Sequence, residues 1–185
     1  MVPVRPLSRR RSSNTNGWRG LFTSTLTMWL RSVLVIGIPL RRLCQAAQYC
    51  EEQREQYLLD GQSLIFETVL SSEGKVDFIR RAREAGYFIR LFFVSTNHPS
   101  INSSRIAKRV MKGGHDVPIP KIISRYQKSI VNCKRCVALA DRVYVYDNSV
   151  DDTEARLLFR MTDGQLFKQY TDDIPEWARL LMGEE

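Results

Sequence analysis

The run Tyr87-Phe-Ile-Arg-Leu-Phe-Phe-Val94 constrains the fold more than any other part of this chain. Aromatic and β-branched residues at that density, broken by a single charge, predict a strand buried on both faces. Its flanks alternate in character. Ala46–Leu59 mixes charges with helix formers and reads as a helix, and Gln62–Thr68 is a short apolar strand ending in a polar pair. Glu73–Ala85 carries Val76, Ile79, Ala82 and Arg83 at helical spacing, and Gly86 supplies the stop. Ser100–Met111 and Pro120–Val137 are expected to be helices, with Ile122, Ile123, Tyr126 and Ile130 on one face of the second. Asp141–Tyr146 is a further strand. Ala155–Met161 and Gln165–Tyr170 form a hairpin about Thr162-Asp163-Gly164, and Ile174–Met182 closes the chain as a helix. Strands alternating with helices predict an α/β domain with a parallel sheet.

Ligands in such sheets sit beyond the carboxyl ends of the strands. Three expected strand ends carry polar groups: Glu67-Thr68, Ser95-Thr96-Asn97 and Asp147-Asn148-Ser149. They are expected to converge on one site. Between the two central helices lies Lys112-Gly-Gly-His-Asp-Val-Pro118, which reads as a hinge because glycine tolerates backbone angles that other residues avoid. Arg105, Lys108, Arg109 and Lys112 precede it, and Lys121, Arg125 and Lys128 follow. A basic helical hairpin of this kind suits an anionic ligand, phosphate above all, because Arg and Lys neutralise charge on a phosphoryl group. The same residues also suit a solvated basic helix pair joined by a glycine turn.

Charge is partitioned sharply. Residues 1–45 contain eight Arg and no Lys, Asp or Glu, whereas residues 46–185 hold 20 basic and 20 acidic residues. The net charge of +8 therefore belongs to an Arg-rich leader on a neutral domain, and overall charge argues only weakly for nucleic-acid binding. If the leader did bind nucleic acid, binding would weaken steeply with salt and vanish with the leader. The apolar run Val33–Leu40 is bounded by Arg31 and Arg41-Arg42, lacks a small-residue cleavage site, and is far short of the roughly 20 residues that span a bilayer. Neither a membrane span nor a signal peptide is expected.

Four cysteines are present, Cys44, Cys50, Cys133 and Cys136. Cys133-Lys-Arg-Cys136 has metal-like local spacing without a second matching pair, and neither His98 nor His115 falls at finger spacing. Reduced thiols on a helix of a cytoplasmic protein are the expectation, with no metal site.

Taken together, several segments resemble the zeta-toxin-type branch of P-loop kinases. They are Gly61–Thr68 with Leu70-Ser71, Ala85-Gly86-Tyr87, Arg109-Val110, Gly113-Gly-His-Asp-Val-Pro118, Ile123-Ser-Arg-Tyr126, Ser129 to Asn132, and Tyr146-Asp-Asn-Ser149. They occur in family order over roughly residues 46–150. The resemblance implies a P-loop kinase-like sheet flanked by helices, with a helical lid and a small C-terminal hairpin. It implies an ATP- and Mg²⁺-dependent phosphotransferase acting on a nucleotide sugar or another small hydroxyl acceptor, held inactive by an antitoxin protein. By the same resemblance Glu67 and Thr68 contact the substrate, and Arg109 stabilises charge on the transferring phosphoryl. Arg105 and Arg125 are further lid candidates, named from spacing. Asp147 and Asn148 lie near the nucleotide. Each also has a plain structural use: Glu67 as a cap for the next helix, Arg109 as a partner of Glu73 or Asp116, and Asp147-Asn148 as a turn.

The family's Gly-rich loop, G-x-x-x-x-G-K-[ST], does not occur in this sequence, whose first Lys is Lys75. The acid after the family's second strand, its general base, has no counterpart in residues 1–50, which contain no Asp or Glu. Impaired catalysis is the expectation, with residues 46–185 as a partial kinase domain. Residues 1–45 read as an atypical leader, disordered or replaced by a frame shift, and the sheet is expected to be incomplete at its N-terminal side. The alternatives are a non-catalytic remnant that binds a nucleotide or an antitoxin-like partner and, further off, a nucleic-acid binder.

Overall fold

The computed structural model describes residues 22–23 and 40–183, the side chains of residues 22–23, 40–44 and 46 excepted. The expectations for the rest of the Arg-rich leader lie outside the described residues. The first element, β1 (Phe22–Thr23), pairs in parallel with β2 (Leu64–Ile65), and α1 (Leu40–Leu59) lies between them in sequence. Then follow α2 (Glu73–Glu84), β3 (Arg90–Ser95), α3 (Pro99–Met111), α4 (Ile119–Val137), β4 (Arg142–Asp147), β5 (Arg156–Thr162), β6 (Gln165–Gln169) and α5 (Glu176–Met182).

The chain is an α/β domain with a P-loop kinase-like arrangement. Its main sheet has the order β3-β4-β5-β6 and is mixed. β3 and β4 are parallel through six residue pairs, Arg90 with Arg142 to Ser95 with Asp147, because the α3–α4 crossover returns the chain in the same direction. The tight hairpin Thr162-Asp163-Gly164-Gln165 then makes β5 and β6 antiparallel, so only one pair of the main sheet meets the parallel expectation. Asp163 (φ 50°) and Gly164 (φ 77°) occupy the left-handed region that a two-residue hairpin turn of this hand requires.

β3 departs from expectation in one respect. It begins at Arg90, and its side chains alternate instead of being buried on both faces. Phe93 and Ser95 point into the core, whereas Phe92 and Val94 are 54% and 53% exposed. Phe92 stacks on Tyr144 of β4 at 5.0 Å between ring centroids. Among the described residues, the helices that pack on this sheet cover the other face. There Val76 and Ile79 of α2, Ile130, Cys133 and Cys136 of α4, and Trp177 and Leu181 of α5 enclose Phe93, Val145, Leu158 and Phe159. The strand expected over Gln62–Thr68 is reduced to Leu64–Ile65, and it is not hydrogen-bonded to β3.

Two helices end by the same device. Gly86 (φ 85°) follows α2, with Gly86 N–H donating to the Arg83 carbonyl and Tyr87 N–H to that of Ala82. Gly113 (φ 85°) follows α3, with Gly113 N–H donating to the Val110 carbonyl and Gly114 N–H to that of Arg109. Both are Schellman caps, which satisfy the last helical carbonyls and fix the exit direction of the chain. The Gly113-Gly114 pair is thus a fully bonded cap instead of the expected hinge. Asp141 ties the sheet's lower edge together: Oδ1 accepts from Arg83 at 2.7 Å and Oδ2 from the Ile89 N–H at 2.7 Å.

Cys133 and Cys136 face the core one helical turn apart, and both are fully buried. Burial pushes the Cys133 thiol well above its ordinary value and the Cys136 thiol up to about 11. Both stay protonated and poorly nucleophilic in the native state. Iodoacetamide at mildly alkaline pH is therefore expected to spare them and to modify the partly exposed Cys50, as read by mass spectrometry. Because folding raises the Cys136 value, its contribution is complete below the ordinary 9.0 and is lost as pH rises towards about 11.

Candidate functional site

Two of the three polar strand ends meet. At the end of β3, Ser95 and the following Thr96 are buried, and Asp147, the last residue of β4, is buried beside them. The Asn148 N–H donates to the Ser95 carbonyl at 2.8 Å, and the Asn97 N–H donates to Ser149 Oγ at 2.8 Å. Ser149 in turn donates to Asp147 Oδ1 through its hydroxyl and, at 3.1 Å, through its backbone N–H. Arg156 stands 3.6 Å from Asp147 Oδ2 and pairs with Asp173 at 3.0 Å. Asp147 therefore holds the crest of the sheet in shape, as a carboxylate that accepts several hydrogen bonds does in any buried turn. Asn148 lies beside it, half-buried.

The third end follows β2, which pairs with β1 and not with the main sheet. Glu67 and Thr68 are exposed in the loop after β2, and Thr68 Oγ1 accepts from the Leu70 N–H at 3.3 Å. Leu70 has the left-handed φ of 58°, and Asn132 of α4 donates to its carbonyl at 2.9 Å in the buried interior. That bond fastens the loop to α4. Glu67 caps no helix; the N-cap of α2 is Ser72.

The helical lid is built on this crest. Tyr126 of α4 donates to the Thr96 carbonyl at 2.8 Å, and Asn102 of α3 donates to Thr96 Oγ1 at 3.2 Å, so Thr96 anchors both lid helices. Burial, with the Asp147 charge second, pushes the Tyr126 hydroxyl up, which keeps it a donor. Trp177 Nε1 donates to Asn97 Oδ1 at 3.2 Å, and a hollow of about 530 Å³ opens between α4 and α5, lined by Asn97, Tyr126, Gln127, Ile130 and Trp177. Arg109 sits at the end of α3, exposed, with one guanidinium N–H donating to the His115 carbonyl at 3.0 Å. Its other donors remain available, since a guanidinium carries five. Neither acid considered for Arg109 takes it: Glu73 pairs bidentately with Arg135 at 2.6 and 2.7 Å, and Asp116 Oδ1 accepts from the Val117 N–H. Arg125 is exposed on α4. Arg105 instead donates to Asp151 Oδ1 at 2.8 Å, and Lys108 donates to Asp151 Oδ2 at 2.7 Å.

A family model described as Zeta toxin matches residues 45–157, more than half of the chain. The chain belongs to the zeta-toxin family. No curated protein and no solved structure matches it at a significant level. The matched region takes in most of α1, both lid helices, β3, β4 and the start of β5, so the family match and the stitched strand ends describe the same part of the molecule.

On this zeta-toxin domain Arg109 and Arg125 are exposed lid cations of the sign that a nucleotide phosphate would require. The domain does not offer a cradle: two further lid cations, Arg105 and Lys108, are already engaged by a carboxylate. Among the described residues no three His, Cys, Asp or Glu side chains gather as a metal would require. Magnesium needs only one or two carboxylates beside phosphate oxygens, so that observation bears little on a nucleotide-borne ion. No described helix is long and apolar enough to cross a membrane.

Sequence reasoning missed Thr96 as the hub, Asp151 as the partner of the lid, and Trp177 as the wall of the hollow. Tyr126 lies at the spacing of the apolar face of its helix, and its hydroxyl is the one clue to a second task. Asp151-Asp152 directly after a strand end, opposite a basic helix, was the available signal for the second of these omissions.

Proposed function

We propose that this chain is a phosphotransferase-type domain that binds ATP with Mg²⁺ over the crest of β3 and β4 and is impaired in turnover. The acceptor is a nucleotide sugar or another small hydroxyl compound. The observation that carries this reading is the joining of the two strand ends to both lid helices through Thr96, in a chain of this family. In this reading Arg109, with Arg105 and Arg125, faces the phosphates, Asp147 and Asn148 shape the nucleotide end, and Glu67 and Thr68 meet the acceptor. An antitoxin-like protein is the macromolecular partner, and the cytoplasm is the location. Phosphoryl transfer rests on positioning and charge neutralisation, and losing one major electrostatic group costs on the order of 10²–10³ in rate. A sequence lacking both the Gly-rich loop and its Lys is therefore expected to be slow. The prior engagement of Arg105 and Lys108 favours a second reading, in which the domain binds a nucleotide or protein partner without turning over.

The test is transfer of label from γ-labelled ATP to a panel of nucleotide sugars. Slow transfer that disappears in Arg109→Ala supports the enzyme. Equal labelling by the two proteins would remove Arg109 from the chemistry, and no labelling at all would leave the binding reading.

A further inference from the structure

α3 differs from the other lid helix in having no buried residue. Its Ile101, Ser104, Arg105 and Lys108 recur at helical spacing and form one stripe along its surface. That stripe faces the loop after β4. There Asp151 inserts its carboxylate between the two cations, giving one oxygen to Arg105 Nε at 2.8 Å and the other to Lys108 Nζ at 2.7 Å. Arg105 also donates to the Val150 carbonyl at 3.3 Å. Beside this clasp is a hollow of about 500 Å³ lined by Ser100, Ile101, Ser104, Ser149 and Asp151. Serine hydroxyls and the Asp151 carboxylate line the hollow, and the guanidinium and ammonium stand behind that carboxylate. With it swung away, hydroxyls and two cations would make a set that recognises a phosphate oxyanion. A carboxylate bridging both cations is the anion that now satisfies them.

We propose that Asp151 is an internal latch on a diphosphate-binding site formed by Ser104, Arg105 and Lys108, and that a diphosphate group binds by displacing it. Displacement is inexpensive, for two reasons. The clasp is exposed, where an ion pair contributes little. α3 is held to the domain by side-chain bonds and contact with α4, with none of its own residues in the core. The latch joins the lid to the β4 loop, so a bound diphosphate would also free α3 from that loop. The Lys108 hydrogen bond, followed by that from Arg105, holds the Asp151 carboxyl below its usual range, as expected of a carboxylate already acting as the anion of a cationic pair. The inference deepens the proposed function and rests on it only for the source of the ligand; the site itself is argued from α3 and its loop.

Calorimetry of the full chain with inorganic pyrophosphate and with ADP, each without metal, tests the latch. Asp151→Asn keeps the size of the side chain and removes the competing charge, so it is expected to tighten both ligands about tenfold. Adding Arg105→Ala to that variant should abolish the gain. Asp163→Asn, which removes an equal charge at the β5–β6 turn, should leave both affinities unchanged. Equal tightening of the two ligands identifies a bare diphosphate, and greater tightening for ADP identifies one carried by a nucleoside. Unchanged or weaker binding in Asp151→Asn, or equal tightening in Asp163→Asn, would overturn the proposal. Failure of the proposed phosphotransferase is read separately, because the pyrophosphate arm needs neither ATP nor an acceptor.

Discussion

Replacing Trp177 by alanine is expected to destabilise the domain by about 3–5 kcal/mol, the range for deleting a large buried aromatic side chain. Trp177 is buried in the main core, meets Phe93 edge-on at 6.0 Å between ring centroids, and reaches Asn97 with its indole N–H. Its removal opens a cavity next to an existing hollow and leaves Asn97 Oδ1 without that donor. Small domains have only about 5–15 kcal/mol in total, so the variant should be partly unfolded at room temperature or have a sharply lower denaturant midpoint. Trp177→Phe should recover most of the packing and none of the hydrogen bond. A midpoint in Trp177→Ala close to that of the parent would mean that α5 is not part of the cooperative core.

Gly114→Ala is expected to have the largest effect of any change within the lid. A Cβ there would stand 2.6 Å from Arg109 Cγ and 2.9 Å from the Arg109 carbonyl oxygen. The side-chain atom can swing aside, but the carbonyl belongs to the helix and accepts the Gly114 N–H at 3.0 Å. Something must shift, at a cost of about 1–3 kcal/mol for forced overpacking, and Arg109 shifts with it. Gly113→Ala makes the opposite kind of change. Open space surrounds its Cβ position, but its φ of 85° costs about 1–2 kcal/mol for an L side chain. Thermal midpoints of both variants should fall. MgATP affinity should fall much more in Gly114→Ala, because only that change displaces the lid arginine. Equal losses of affinity would mean that the cap matters only through stability.

Much of this was legible in the sequence. The helices over residues 73–84, 99–111 and 119–137 announce themselves by apolar spacing and by Gly or Pro at their ends, and the β5–β6 hairpin by Asp163-Gly164. These are local signals. Legibility fails where the outcome depends on a partner far along the chain. Phe92 and Val94 have the composition of doubly buried residues, but the face on which they lie is a property of the whole sheet. Gly113-Gly114 has the composition of a hinge, and only the bonds to Val110 and Arg109 make it a rigid cap. Site residues divide the same way. The strand ends could be named from their polar triplets, whereas the Asp151 clasp spans 46 residues to Arg105, and the Asp151-Asp152 pair alone does not say which cations it meets.

The most direct test of the account is calorimetric titration of the purified full chain with MgATP, with Arg109→Ala beside it. The account predicts saturable binding in the micromolar-to-millimolar range typical of enzyme substrates, and its loss in the variant. Binding that is the same in both proteins, or no binding in either, would contradict the assignment of a nucleotide site to the crest of β3 and β4.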